Sequence, residues 1–426
     1  MTDCSARLRK GWLPFALLLL ASSSVWAQPA PPSPVTTLKQ AFSSAWQRQP
    51  EAQSQAARQD AAIARRQAAN SWTAEPASLE LSVKSDRLNQ NQGSREDAAG
   101  LAFPLWLPGE RARTGSLADA EQRATASRVL AAQLRTAASV RESFWQWQRA
   151  RSEQDLARDR LSNAQQFAAD VTKRVKAGDL ARSDQHQADG AVASAELGLA
   201  DADSALAGAV QQLRTLTGSA SASNAVAARD ASVVAEPVPA LPADLAALDS
   251  GHPLVTELLD RAELARRGAE LARVQTRSNP ELSLATARDR GLSSEPYQQS
   301  ITLGIRIPLG SDSRNRAKLA TAQADVIEAQ AQLGLERERL LADLDGARAR
   351  LDSAQAQMTA ADKRAQLARE SRGFFQKSFQ MGETDLPTRL RIELEAGEAE
   401  RQASRTRIDH AAAVSALRQA MGLLPQ

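Results

Sequence analysis

Two spacings of apolar residues take turns along the chain. In ASLELSVKSD, residues 77 to 86, single polar residues separate Leu79, Leu81 and Val83; in SITLGIRIPLG, residues 300 to 310, the same alternation runs through Ile301, Leu303, Ile305 and Ile307. A period of two puts one set of side chains on one face of a strand. AGLAFPLW (99 to 106) and ELSLATA (281 to 287) complete two hairpins, with loops around residues 89 to 93 and 291 to 296. Leu101 and Phe103, and Leu282 and Leu284, continue the apolar set on these partner strands.

Elsewhere the spacing is helical. From Ser116 to Ala177 there is neither glycine nor proline, and a helix of that length extends roughly 90 Å at about 1.5 Å per residue. Beyond Gly178, Val192, Ala195, Leu199, Ala202, Leu206, Ala209, Leu213 and Leu216 alternate steps of three and four. That period of 3.5 predicts a left-handed coiled-coil seam, its alanines allowing close approach. Ala396, Ala399, Ala403, Thr406, His410, Ala413, Leu417 and Ala420 form a weaker second seam.

The punctuation repeats at an offset of 204 residues: Pro76 with Pro280, Pro104 with Pro308, Gly178 with Gly382, and LRTLTG (213 to 218) with LRQAMG (417 to 422). Pro50 and Pro253 match at an offset one residue shorter. LAFPLWLPGERAR (101 to 113) and LGIRIPLGSDSRNRAK (303 to 318) are the clearest echo: apolar strand, proline, basic helix start. Matched prolines and glycines mark matched element boundaries. The chain therefore divides into a first repeat (28–218), a Ser/Ala/Pro-rich linker (219–249) and a second repeat (250–426), each repeat reading helix, strand hairpin, long helical hairpin.

Composition agrees with extended helices. Only 4% of the 426 residues are aromatic and 24% are charged, a poor recipe for thick globular cores. Residues 1–27 have a basic start (Arg7, Arg9, Lys10), an apolar run from Trp12 to Ala21 and the small-residue pattern Val25-Trp26-Ala27. This reads as a cleaved secretory signal peptide, its apolar run too short for a transmembrane helix. With its three basic residues and one acidic residue removed, the formal charge of +3 falls to about +1, which gives no reason to invoke nucleic acid. Cys4 stands before the apolar run, so the mature chain has no cysteine for disulfides, thiol chemistry or lipid attachment.

For isolated hairpins, packing on helices in water is the commoner arrangement. Export, strand length and polar alternation together favour strands that cross a membrane. Four strands cannot close a barrel and lipid tolerates no open edge, so several chains must then share one barrel.

The helix LKQAFSSAWQRQPEAQSQAARQDAA, the proline-containing exits FPLWLPGERA and RIPLGSDSRNRA, and the turn RVKAGDLARSD resemble the TolC-like outer membrane efflux proteins over essentially the whole mature chain. FFQKSFQMGETDLPTRLRIELEAGEAE (374 to 400) is most similar to the CzcC-like branch serving heavy-metal export. The resemblance implies a mainly α fold with β: a homotrimer whose twelve-stranded outer membrane barrel, four strands per chain, continues into a long α-helical coiled-coil periplasmic tunnel. It implies a passive conduit for a tripartite efflux system of the resistance-nodulation-division (RND) type, partnered by a periplasmic adaptor and an inner-membrane pump, held in outer membrane lipid by the barrel rather than by an acyl anchor. Drug efflux or type I protein secretion through the same fold, and a periplasmic coiled-coil adaptor, are the alternatives.

An open conduit needs a lumen and a gate, and a carboxylate repeated by symmetry becomes a cation-favouring ring. Asp179, Asp184, Glu383 and Asp385 at the helical reversals are the gate candidates, with Arg174 and Lys176 as their partners; helix capping is the simpler role for each. Arg174, Gly178, Leu180, Gly382 and Leu386 are the candidate adaptor contacts, and Pro104 and Pro308 the barrel-to-tunnel joints. Phe144 and Trp147 in FWQWQ read as helix packing, while Trp72, Trp106 and Tyr297 flank strands as rings at a membrane interface do. His186, His252 and His410 have no metal-ligand spacing. No nucleophile elbow, phosphate loop or paired-carboxylate motif points to an enzyme, and no cofactor is called for.

Overall fold

A computed structural model describes residues 37–89, 91–218, 235–240, 251–310 and 312–426. The predicted signal peptide lies outside the described residues, as does most of the predicted linker. Helix α1 (Leu38–Arg48) opens with a capping box, the Thr37 hydroxyl accepting from the Gln40 N–H while the Gln40 side chain accepts from the Thr37 N–H. Pro50 then starts α2 (Pro50–Ala69) at a position where a missing N–H costs nothing. Strands β1 (Ser78–Ser85) and β2 (Arg95–Pro104) follow, then α3 (Glu110–Ala177) and α4 (Arg182–Thr217). The second pass gives α5 (Pro253–Val274), β3 (Glu281–Arg290), β4 (Gln298–Arg306), α6 (Asp312–Gln380) and α7 (Leu386–Ala420).

The expected boundaries shift for definite reasons. Helix α3 starts at Glu110, within the expected GERAR start, and absorbs Gly115, where a Cβ would stand 3.0 Å from the Arg66 guanidinium. Strand β2 begins at Arg95, not at 99, since Arg95, Glu96 and Asp97 join the ladder at an end where charge can face water. It stops at Pro104, leaving Trp106 outside, and β4 stops at Arg306, before Pro308, because proline cannot donate to a ladder.

The two hairpins are one antiparallel sheet, β1-β2-β3-β4, the halves joined where β2 pairs with β3 from Arg95↔Arg290 to Pro104↔Glu281. Below it, α3 with α4 and α6 with α7 make two antiparallel helical hairpins, and α5 packs on both α3 and α6. At 68 and 69 residues, α3 and α6 reach about 100 Å. Such length without a thick core is sustained by seams: Ala361 and Ala365 of α6 meet Ala399 and Ala403 of α7. A wider cluster at mid-length gathers Ala41 and Ala45 of α1, Phe144 and Trp147 of α3, Leu213 of α4 and Ile408 of α7, the Phe144 and Trp147 rings 5.5 Å apart. The FWQWQ aromatics are thus core. Polar ties such as Arg149–Asp409 at 2.8 Å and Arg401–Glu153 at 2.7 Å contribute little energy but fix the register of α3 against α7.

The described piece of the linker, residues 235–240, carries a buried ion triad. Glu236 receives the Arg141 guanidinium at 3.0 and 3.2 Å, the Arg418 Nε at 3.1 Å and the Ser415 hydroxyl at 2.5 Å, and both charged pairs are at most 5% exposed. Arg141 also donates to the Gln419 side chain and the Leu423 carbonyl, so one carboxylate ties the crossover to α3, α7 and the C-terminal turn. Burial pulls the Arg141 guanidinium below its ordinary value, and Glu236 opposes that fall. Glu236→Gln leaves two buried guanidiniums without a counter-charge, which costs about 3–5 kcal/mol. Thermal unfolding of the purified variant is expected to begin well below that of the parent; an unchanged transition would mean that the triad is not stabilising.

Candidate functional site

The sheet has two unlike faces. Pairing places Leu79, Leu101, Leu284 and Leu303 in one row across all four strands, flanked by Leu81, Ala99, Thr286 and Ile301 on one side and by Phe103, Leu282 and Ile305 on the other. Val83 extends the face outward, and Ile307 stands one residue past β4. Of the expected apolar face, Leu79, Leu81, Val83, Leu101, Leu284, Ile301, Leu303, Ile305 and Ile307 are exposed, from 42% at Leu101 to 77% at Ile301, while Phe103 and Leu282 are half-buried. Trp72 meets Phe103 edge-on at 6.1 Å, and the Trp106 indole donates to the Ser71 carbonyl at 3.2 Å.

The reverse face carries small or polar residues, in rows such as Glu80, Gly100, Ala285, Thr302 and Ser82, Ala98, Ala287, Ser300. A Cβ on Gly100 would lie 3.2 Å from that of Ala285, so glycine lets neighbouring strands come close on this face. Among the described residues, β1 and β4 each pair with one strand, which leaves an outer edge on each.

At the far end of the helices, both reversals use glycine in the left-handed region, Gly178 at φ 88° and Gly382 at φ 79°. The two tips pack on one another: Phe379 and Leu386 of the second hairpin enclose Ala168, Val171 and Ala188 of the first, with Phe167, Val175 and Leu180 around them. Arg174 spans this contact. It donates to the Phe379 carbonyl at 3.0 Å, a second donor beside the Gly382 N–H at 3.2 Å, and lies 4.8 Å from the centre of the Phe379 ring, so it braces the C-terminal end of α6.

Within one chain the carboxylates do not converge on this arginine. Asp184 accepts from the Ala181 N–H at 3.0 Å, a capping bond; Asp385 is the N-cap residue of α7; Glu383 accepts from the Ser378 hydroxyl at 3.5 Å; Asp179 and Lys176 are exposed. Within one chain Arg174 pairs instead with main-chain carbonyls, 3.0 Å from that of Phe379 and 3.5 Å from that of Gln380. Leu386, expected as a contact for a partner, is 2% exposed; its side chain is spent inside the chain and leaves that set. Among the described residues no three His, Cys, Asp or Glu side chains gather as a metal-holding group, and no helix is long and apolar enough to cross a membrane.

The joint between sheet and helices centres on a residue that sequence reasoning missed. Pro104 ends β2, its carbonyl accepting from the Ala74 N–H at 3.1 Å, and Pro308 lies two residues past β4. At the first position of α3, the 2%-exposed Glu110 accepts from the Leu107 N–H at 2.9 Å, the Gln275 amide at 2.7 Å and the Asn279 amide at 2.7 Å. It thereby holds the β2–α3 turn to the α5–β3 turn. The available signal was the charged residue directly after a glycine cap in LPGER, facing Gln275 and Asn279 in QTRSN.

Residues 41–219 match the family model described as outer membrane efflux protein. That match spans most of the first half of the chain and is a likeness to the outer membrane efflux family. The cobalt-zinc-cadmium resistance protein CzcC of Cupriavidus metallidurans is 30% identical over 237 residues, an alignment covering 55% of this chain and 55% of that protein, about half the length of each. The fold extends further. The outer membrane protein VceC of Vibrio cholerae superposes with TM-score 0.71 at 19% identity over 90% of this chain and 96% of that one, and CusC with TM-score 0.73 at 18% identity over 91% and 92%. The chain thus shares the fold of these outer membrane proteins, long helices joined to a four-stranded antiparallel sheet.

Arg174→Ala removes the bond that covers the end of α6 while leaving both tip glycines in place. Amide hydrogen exchange at residues 379–383 is expected to speed up by about tenfold, for a loss of ~1.4 kcal/mol in local opening, with little change at mid-helix. Equal exchange in variant and parent would show that the tips do not depend on this arginine.

Proposed function

We propose that this chain is the outer membrane channel component of a tripartite efflux system, a passive conduit assembled from three copies. The observation that carries the reading is the four-stranded sheet with an exposed apolar face, a small-residue face and two open edges. Facing lipid, the apolar rows need no further cover. The edges do need cover, because an unpaired backbone group in hydrocarbon costs several kcal/mol. Pairing β4 of one copy with β1 of the next closes a ring, and three copies make twelve strands lined by the small-residue face.

The helices support the same assembly. Leu367 and Phe374 of α6 are spaced by seven, so they share one face, and with Met381 one residue past the helix end all are more than half exposed. In a water-filled compartment such a stripe calls for protein, and the neighbouring copy of the tunnel supplies it. Two helical hairpins joined end to end with a sheet speak against the adaptor alternative, which needs one hairpin within a lipoyl-like β domain.

At the tips, Gly178, Leu180, Gly382 and Arg174 form the contact for a periplasmic adaptor, which links the conduit to an inner-membrane RND pump. The carboxylates Asp179, Asp184, Glu383 and Asp385, tripled by symmetry, surround the entrance, a charge pattern suited to cations. The likeness to a cobalt-zinc-cadmium resistance protein supports divalent heavy-metal cations as cargo. The predicted signal peptide supports export across the inner membrane, and the barrel supports insertion in the outer membrane, with the helices in the periplasm.

Fractionation followed by gels of boiled and unboiled samples tests the assembly: a heat-dissociable trimer in the outer membrane is expected, and a soluble periplasmic monomer would end the reading. For cargo, deletion of the gene is expected to sensitise cells to zinc, cobalt or cadmium; sensitivity to organic drugs alone would reassign the conduit to drug efflux.

A further inference from the structure

The apolar face of the sheet ends, on the side of the hairpin loops, in a group of arginines. Following that face by steps of two, β2 runs Leu101, Ala99, Asp97, Arg95; β3 runs Leu284, Thr286, Arg288, Arg290; and β4, traced back, runs Leu303, Ile301, Gln299 to Tyr297. Register places Asp97 opposite Arg288 and Arg95 opposite Arg290, so three guanidiniums stand on the face that also carries the leucine row. Arg288 is four residues along β3 from Leu284, which is about 13 Å.

The charges there do not cancel. Asp97 pairs with Arg95 at 3.0 Å. Arg288 and Arg290 have no carboxylate within ion-pair distance among the described residues; instead they stack on Tyr297, 4.3 and 4.8 Å from its ring centre. Arg290 also donates from Nε to the Gly93 carbonyl at 3.1 Å, and the Ser293 N–H donates to the Gln92 carbonyl at 3.0 Å, so the two hairpin loops are tied together behind the patch. The nearby Glu295 is turned into its own loop, accepting from the Gly291 and Leu292 N–H groups at 3.1 and 3.2 Å. Held by a shared ring, the two guanidiniums keep donors free toward the face.

We infer that Arg288 and Arg290, positioned by Tyr297, bind the phosphate groups of an anionic lipid in the outer leaflet, whose acyl chains lie on the apolar rows below. The inference rests on the channel reading, in which the loops face outward and the apolar rows face lipid. Apolar rows, a ring at their border and uncancelled guanidiniums beyond it follow the order of a lipid from chain to headgroup. A soluble anion would use the guanidiniums but leave the continuity with the leucine row unused.

The test uses the full assembled protein, extracted from outer membranes and placed in phosphatidylcholine nanodiscs containing a small fraction of bis-phosphorylated lipid A or of its dephosphorylated form, with bound lipid counted by native mass spectrometry. The parent is expected to retain the phosphorylated lipid about fivefold better, Arg288→Gln to lose most of that preference, and Asp97→Asn, which removes the competing carboxylate, to increase it. Equal retention of the two lipids by the parent, or a preference unchanged in both variants, would overturn the inference. So would displacement of the phosphorylated lipid by millimolar inorganic phosphate, which would mark a free-phosphate site. A parent chain that never fractionates with the outer membrane defeats the channel reading itself; one that does, yet shows no lipid preference, defeats the lipid site alone.

Discussion

Backbone hydrogen bonding at the edges of the sheet is the constraint on which the rest depends. A single chain pairs β1 through β4 and, among the described residues, leaves the outer edges of β1 and β4 without strand partners. In water such edges are tolerable. Here the strands carry exposed leucines and isoleucines on one face, and in hydrocarbon no solvent satisfies the remaining N–H and C=O groups. In the proposed assembly, edge pairing between copies resolves this, and its symmetry sets how the helices below are arranged.

The helical part solves a different problem, that of reaching far without a thick core. Seams of alanine bring helices close, and glycine makes each reversal at a tip. Two buried carboxylates staple the long elements to one another: Glu110 holds the strand exits of both halves together, and Glu236 holds the crossover to α3 and α7. Both sit where one half of the chain meets the other, so the duplication is locked at its boundaries by charge-assisted hydrogen bonds rather than by apolar burial.

Much of this was legible in the sequence because it depends on period and punctuation. Alternation marked the four strands, the 3.5 spacing marked the seams, and matched prolines and glycines aligned the halves. Pairing of β2 with β3 was not legible, since nothing local says that two hairpins about 180 residues apart share a sheet. The contact of Arg174 with the Phe379 carbonyl was not legible for a related reason: that carbonyl is a backbone group that any residue would present. Leu386 looked like surface because it follows an exposed turn, but tertiary packing buries it. Glu110 and Glu236 escaped because their partners lie far off in sequence and belong to polar residues of no distinctive motif.

The claim that edge strands close across copies is tested most directly by cysteine cross-linking in intact cells. Cys4, within the predicted signal peptide, is the only cysteine in the sequence, so introduced pairs stand on a clean background. A single cysteine in β4, at Thr302, combined in turn with cysteines along β1 from Ser78 to Ser85, is predicted to give covalent dimers and trimers at a restricted set of registers under oxidation. Monomers at every register, in a protein that still reaches the outer membrane, would contradict the account.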